Sequence, residues 1–359
     1  MTNSKAYRVA VIRGEDAAPE AMDAAIDVIN LLAPGIDWAY PVVGLAAKER
    51  GESPFPDAAK IEIDRSDATL FGATSGPSAL ALFYLRWGRQ TFANVRPTKW
   101  MRGYQTPLAS PEGLDIVIVR ENLEDSYLFL EGDLVDLKPL GLKSPTLGVA
   151  PENMGRGTYA LKAITQEGSE RIARFAFELA KKRKAQGKPG KVTASAKYNM
   201  LPKTDGLFVE VAKEVAKSYP EIDFETLIID DFAHRLVRRA QDFDVVLLPN
   251  LYGDILSDAV AGLSGGLGLA PSGCYGEHFA YFESAHGTAP DLTGKGLINP
   301  TATLLSGAMM LDYLGIEGAG ERLRAAIAAV YERGERLTPD QGGNSGTKEF
   351  CNAIIAELD

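Results

Sequence analysis

Short apolar runs recur along the chain, each bounded by charged or turn residues: Arg8 to Ile12, Ala68 to Ala73, Asp115 to Val119, Val192 to Ala196 and Asp244 to Leu248. They are brief and rich in Val, Ile and Leu, which predicts buried strands. Helical spacing lies between them. From Ser169 to Lys184, Ile172, Phe175, Ala176 and Leu179 fall on one face, and the stretch ends in Lys and Arg before Gly187 and Pro189. From Gly206 to Lys217 the stripe is Leu207, Phe208, Val211, Ala212 and Val215, stopped by Pro220. Strands alternating with helices predict an α/β architecture. The stretch from Asp133 to Gly168 differs: rich in Gly, Pro, Lys and Thr and weakly periodic, it predicts an arm outside the core.

Bulk properties narrow this picture. The chain has 359 residues, more than one compact core usually fills, so two domains or one large α/β unit are expected. A formal net charge of -10 argues against a nucleic-acid partner, because an acidic surface repels phosphate. The basic run at 181–191, KKRKAQGKPGK, reads as a solvated helix end whose cations suit the helix dipole. Cys274 and Cys351 lack any metal-site spacing and give no disulfide framework. The N-terminal stretch lacks the apolar core of a signal peptide, and no run is long enough to span a bilayer. A cytoplasmic enzyme is the expectation.

The chemistry centres on NLYGDILSDAVAG at 250–262. Asp254 and Asp258 are four residues apart, so a helix projects both from one face. Such a pair is either a solvated face or a seat for a hard cation such as Mg²⁺ or Mn²⁺, which takes oxygen ligands. Arg86, Arg96 and Arg120 could grip a small poly-acid bidentately or serve as surface ion pairs. Arg120 directly follows the strand pattern DIVIV, where α/β proteins place ligands. Lys197 follows VTASA at a similar edge and is a candidate proton carrier or a surface lysine. The segment 283–302 clusters His286, Gly287, Asp291 and Asn299 among glycines that permit a ligand's close approach or simply form turns. RGEDAAPE after the first strand is not G-x-G-x-x-G, so a conventional Rossmann domain is not expected.

Five segments in order, FANVRP, VIVREN, NLYGDILSDAVAGLSGGLGL, HGTAPD and INPTA, resemble those of the β-decarboxylating dehydrogenases, the group of isocitrate, 3-isopropylmalate, homoisocitrate and tartrate or malate enzymes. The resemblance runs from about Arg8 to Phe350. It implies a two-domain α/β fold, with 1–95 and 266–359 forming the cofactor-side domain. Residues 96–265 would form the second domain, which supplies substrate and metal residues and a dimer interface, with the arm near 133–168. It implies a homodimer with shared active sites. Arg86, Arg96 and Arg120 would hold two carboxylates, and Asp230, Asp254 and Asp258 the divalent ion, Mg²⁺ or Mn²⁺. Lys197, with help from an aspartate such as Asp230, would take the hydroxyl proton as hydride leaves for NAD. After loss of CO₂, Tyr127 would protonate C3.

For the cofactor, the resemblance implies that Asp291 meets the adenosine ribose and so selects NAD over a 2′-phosphate. Gly287, Ala289, Ile298 and Asn299, beside His286, would line the adenine site, and Glu283 and Asn199 would lie near the nicotinamide. Substrate identity is where the chain departs from its relatives. The isocitrate branch solvates a distal carboxylate with Ser and Asn where this chain has Leu80 and Leu82, and burying a carboxylate there unpaired would cost several kcal/mol. LFYLR at 82–86 is closer to the isopropylmalate pattern, with Ala79, Leu82 and Phe83 as an apolar wall. RENLED at 120–125 points the other way, towards isocitrate, and the loop GATSGPSALALFYLR is short for an isopropylmalate enzyme. The reading is a malate-type 2-hydroxy acid with an apolar or small C3 substituent. Isocitrate, homoisocitrate, tartrate and D-malate are the alternatives, and a non-catalytic regulatory subunit is another.

Overall fold

The structure is a computed structural model that describes residues 6–358. Twelve strands are formed among these residues: β1 (Tyr7–Ile12), β2 (Ile36–Ala39), β3 (Ala68–Phe71), β4 (Ala93–Lys99), β5 (Asp115–Glu121), β6 (Glu131–Asp133), β7 (Thr158–Ala160), β8 (Lys191–Ala196), β9 (Asp223–Ile228), β10 (Val245–Leu248), β11 (Pro271–Tyr275) and β12 (Ala280–Ser284). Ten build one continuous sheet in the order β2-β1-β3-β12-β11-β4-β5-β10-β8-β9. The outer quartets, β2-β1-β3-β12 and β5-β10-β8-β9, are parallel, while β12-β11-β4-β5 runs antiparallel through the middle. A mixed sheet of this kind is not the doubly wound parallel dinucleotide fold.

The strands predicted from apolar runs are all present and each pairs parallel with at least one neighbour, as strands covered by helices on both faces commonly do. The two predicted helices form as Gln166–Ala185 and Thr204–Ala216. The first is capped by Thr165, whose hydroxyl accepts the Gly168 amide at 3.0 Å, and Lys182, Arg183 and Lys184 occupy its last turn. Both bury their apolar stripes in one core with Val192, Ala194 and Val245. A separate core gathers the helices Ala18–Leu32, Thr301–Tyr313, Ala319–Arg333 and Thr347–Leu358 against β1, β3 and β12. Residues 131–160 leave the main sheet: β6 and β7 pair only with each other, and Val135, Leu140 and Leu147 are exposed beside them. No helix among the described residues is long and apolar enough to cross a membrane.

Candidate active site

The signature segment forms the helix Asn250–Ser264, directly after β10, so its first turns stand at the C-terminal edge of the sheet beside the end of β5. Gly253 allows this approach: a Cβ there would lie 2.6 Å from Arg120 Cγ. Arg120, 2% exposed, donates through Nε and Nη2 to Asn250 Oδ1 at 2.9 and 2.7 Å, and its Nη1 pairs with Asp254. Arg86 donates to the same amide oxygen at 3.0 Å and to the Asn122 carbonyl at 2.6 Å. Arg96 reaches the helix from β4, with Nη1 3.1 Å from Asp258 and Nη2 3.4 Å from Asp254. Asn94, two residues earlier, accepts its Nε at 3.1 Å.

Tyr127 completes the face. Its hydroxyl donates to Asp254 Oδ2 at 2.5 Å, and its ring lies about 5 Å from both Arg86 (5.2 Å) and Arg120 (5.1 Å). Burial and the Asp254 carboxylate both push the phenol up, so it holds its proton at neutral pH. Burial and repulsion from Arg86 and Arg96 lower Arg120 to about 10. Burial would raise Asp254, but the arginines, Arg120 foremost, outweigh it and hold its carboxyl below the usual range. Asp258, further out, is raised by burial. Behind them Glu121 is buried and pushed up to about 7, and Glu283 on β12 is raised by burial within the field of the same arginines.

Lys197 and Asp230 form a second, smaller group. Lys197 follows β8, Asp230 opens the helix Ile229–Arg239, and the two pair at 2.5 Å. The bond from Lys197 holds Asp230 below the usual carboxylate range. No three His, Cys, Asp or Glu side chains gather into a metal-binding group among the described residues, so Asp230 does not join Asp254 and Asp258 within the chain. Two carboxylates on one helix face suit a hard cation. Among the described residues, one chain supplies that much of the donor set and no more.

A separate cavity has a volume of about 460 Å³. His286, Gly287, Ala289, Ile298 and Asn299 line it, together with Leu267, Thr288 and Asp340. Asp340, absent from the sequence reading, accepts from Asn299 at 2.9 Å and from Thr338 at 2.6 Å. Burial lowers the His286 pKa, which favours the neutral ring. Asp291 sits on the exposed turn Pro290–Leu292 at the margin, and Asn199 lies in the turn after Lys197, so neither lines the cavity.

The segment read as a short loop is a helix, Ala79–Phe83, running into a widened turn, Tyr84–Gly88. Leu82 leans into the core with Ile12 and Leu85, whereas Phe83 packs edge-on against Trp87, with centroids 5.3 Å apart, and 5.8 Å from Phe129. Trp87 lies 5.6 Å from Phe129 and 4.7 Å beneath the Arg86 guanidinium. Sequence reasoning missed both rings. Glu15, in the divergent RGEDAAPE, is buried and ties this region down, accepting the Ser78 hydroxyl and the Ser75 amide at 3.3 Å. Gly44 leaves the room: a Cβ there would stand 2.5 Å from Ser78 Oγ.

Comparison with known proteins shows the family and the fold. The family model described as isocitrate/isopropylmalate dehydrogenase matches residues 8–354, and the chain belongs to that family. It is 41% identical over 352 residues to the 3-isopropylmalate dehydrogenase of Archaeoglobus fulgidus, covering 98% of this chain and 99% of that one. It is 40% identical over 360 residues to the isocitrate/homoisocitrate dehydrogenase of Thermus thermophilus, with 98% and 99% covered. The crystal structure of isocitrate dehydrogenase from Methylococcus capsulatus superposes with a TM-score of 0.83 at 35% identity, covering 98% of this chain and 99% of that chain.

Proposed function

We propose that the chain is an NAD-dependent dehydrogenase that oxidises and decarboxylates a malate-type 2-hydroxy acid with an apolar or small C3 substituent. One observation carries the reading: Arg86, Arg96, Arg120, Tyr127, Asp254 and Asp258 converge on one face. Three guanidiniums opposite two carboxylates favour an added anion, and a dianionic substrate entering with a divalent cation leaves the local charge unchanged. Bound by Asp254 and Asp258, with Asp230 contributed by a second copy of the chain, Mg²⁺ or Mn²⁺ would supply Lewis acidity at the substrate's C2 oxygen.

The chain's own groups carry the remaining work. The arginines fix the two carboxylates. Lys197 takes the hydroxyl proton while hydride leaves C2, and Tyr127, already protonated, delivers a proton to C3 once CO₂ has gone. Lys197 and Asp230 pair with each other away from Asp254, which supports a homodimer whose sites are shared, lying between a cofactor-side domain (1–95 and 266–359) and a second domain (96–265). The Asp340 carboxylate in the cavity wall, with Asp291 at its margin, would repel a 2′-phosphate, which supports NAD.

The rings of Phe83, Trp87 and Phe129 beside Arg86 support an apolar C3 group. The likeness to the isocitrate/homoisocitrate enzyme keeps a second reading, a substrate with a further carboxylate. NADH formation with Mn²⁺ decides between them on a panel of 3-isopropylmalate, D-malate, tartrate, isocitrate and homoisocitrate. Turnover confined to malates with apolar or small substituents is expected. Best turnover on isocitrate would overturn the substrate reading, and an inert protein would overturn the reaction class.

A further inference from the structure

Lys162 has no part in the chemistry above, yet its ammonium sits between two carboxylates that are fully buried. Nζ lies 2.5 Å from Asp205 Oδ1 and 3.4 Å from Asp125 Oδ1, and 4.6 Å from the Tyr252 ring centroid. Among the described residues no other cation pairs with either acid. Burial and the neighbouring Asp205 raise the Tyr252 phenol, so it stays neutral and adds no charge. Two buried anions sharing one cation form an arrangement in which removing the cation is far costlier than its presence is beneficial.

Each carboxylate holds a different catalytic segment. Asp205, in the first turn of Thr204–Ala216, accepts the Lys197 backbone amide at 2.8 Å through its other oxygen. Asp125 accepts the Ser126 amide at 2.7 Å and the Leu251 amide at 3.0 Å, clamping the chain two residues before Tyr127 onto the signature helix. The Asp125 backbone lies at φ +71°, a region that favours glycine, so these contacts must hold it there.

We propose that Lys162 is a positioning residue that keeps the Lys197 segment and the Tyr127 segment in register, through Asp205 and Asp125. The inference rests on the reading of Lys197 and Tyr127 as the two proton carriers. Within one chain Tyr127 bonds Asp254 whereas Lys197 pairs with Asp230, so in a shared-site dimer the lysine links the halves of two different sites.

The test uses the full chain with Lys162→Met and Lys162→Arg. Amide hydrogen exchange reads the link without reference to activity: exchange at 124–128 and at 196–200 should quicken together, about tenfold or more, with β1 unchanged. In NADH formation, Lys162→Met should lower kcat roughly 30-fold with KM within about threefold, and Lys162→Arg should recover part of the loss. Lys162→Met added to Lys197→Met should cost less than Lys162→Met alone, since only the Tyr127 route is then left to lose. Exchange that quickens in one segment only, an unchanged kcat, or additive losses would each overturn the proposal. If Lys162→Met fails to fold, Lys162→Arg carries the same exchange and kcat comparison, with a smaller loss expected and none overturning it. Should the unaltered protein turn over no hydroxy acid, the functional reading fails, while the exchange result still decides whether Lys162 joins the two segments.

Discussion

The arginine face and the Lys197–Asp230 pair contain the same kinds of groups and are built in opposite ways. On the face, the Arg120 side chain is 3% exposed, and Arg96, Arg120 and Asp254 each touch two or more of the other polar groups; in the pair, Lys197 and Asp230 are 31% and 66% exposed and make one ion pair. The first is finished within one chain, with Asn250 accepting from two arginines and donating to the Glu124 carbonyl at 3.0 Å. The second is held only by its backbone and awaits something to act upon. Preorganisation of charge is expensive to build and is concentrated where charge must be bound, whereas the proton carrier keeps the freedom to meet a partner.

That contrast predicts different failures. Lys197→Met should cost kcat the most, on the order of 10²–10⁴, while leaving melting temperature and NAD binding unchanged. Normal turnover, or a large drop in stability, would erase the distinction. Arg120→Met should damage folding as well as activity, by about 3–5 kcal/mol in denaturant titration, because Asp254 and Asn250 lose a buried partner. A stable Arg120→Met protein would mean the face is not prebuilt.

Glu121, behind the face, adds a pH signature. Its pKa in the folded chain is raised to about 7 from 4.5 in the free side chain, so its stabilising contribution is complete below about pH 4.5 and is lost as pH rises to 7. Glu121→Gln should flatten that slope, worth about 3 kcal/mol, in melts between pH 4.5 and 8. The smallest effect concerns specificity. Phe129→Ala should raise KM for an isopropyl-substituted malate about tenfold and leave D-malate nearly unchanged, as expected for one ring in an apolar pocket. Equal losses on both substrates would separate the three rings from substrate recognition.

What the sequence disclosed followed from how local each signal was. Apolar runs announced β1, β3, β5, β8 and β10, because a strand buried on both faces is apolar throughout. The antiparallel centre was silent: β4 buries Asn94 and Arg96, and β11 buries Ser272, polar residues that pair with Cys274, Ser257 and Asn94 far along the chain. Arg120 and the Asp254/Asp258 pair stood beside strong patterns and were legible. Asn250 lay within a quoted motif with no role assigned, since an amide that accepts from two arginines is visible only when β5 and the signature helix meet. Trp87, Phe129, Glu15 and Lys162 were hidden for the same reason.

The pairing of β3 with β12 joins Thr69 to Tyr281, more than two hundred residues later. During synthesis the first three strands therefore emerge long before the strand that flanks them and the C-terminal helices that cover them. At about 5–20 residues per second they wait roughly 10–40 s, with the apolar face of Ala18–Leu32 uncovered. The central segment, with its own cores around Val192 and Ile118, can close in that interval. The nascent chain is thus expected to complete one end of its sheet first, and its N-terminal portion is the part that chaperones have most reason to hold.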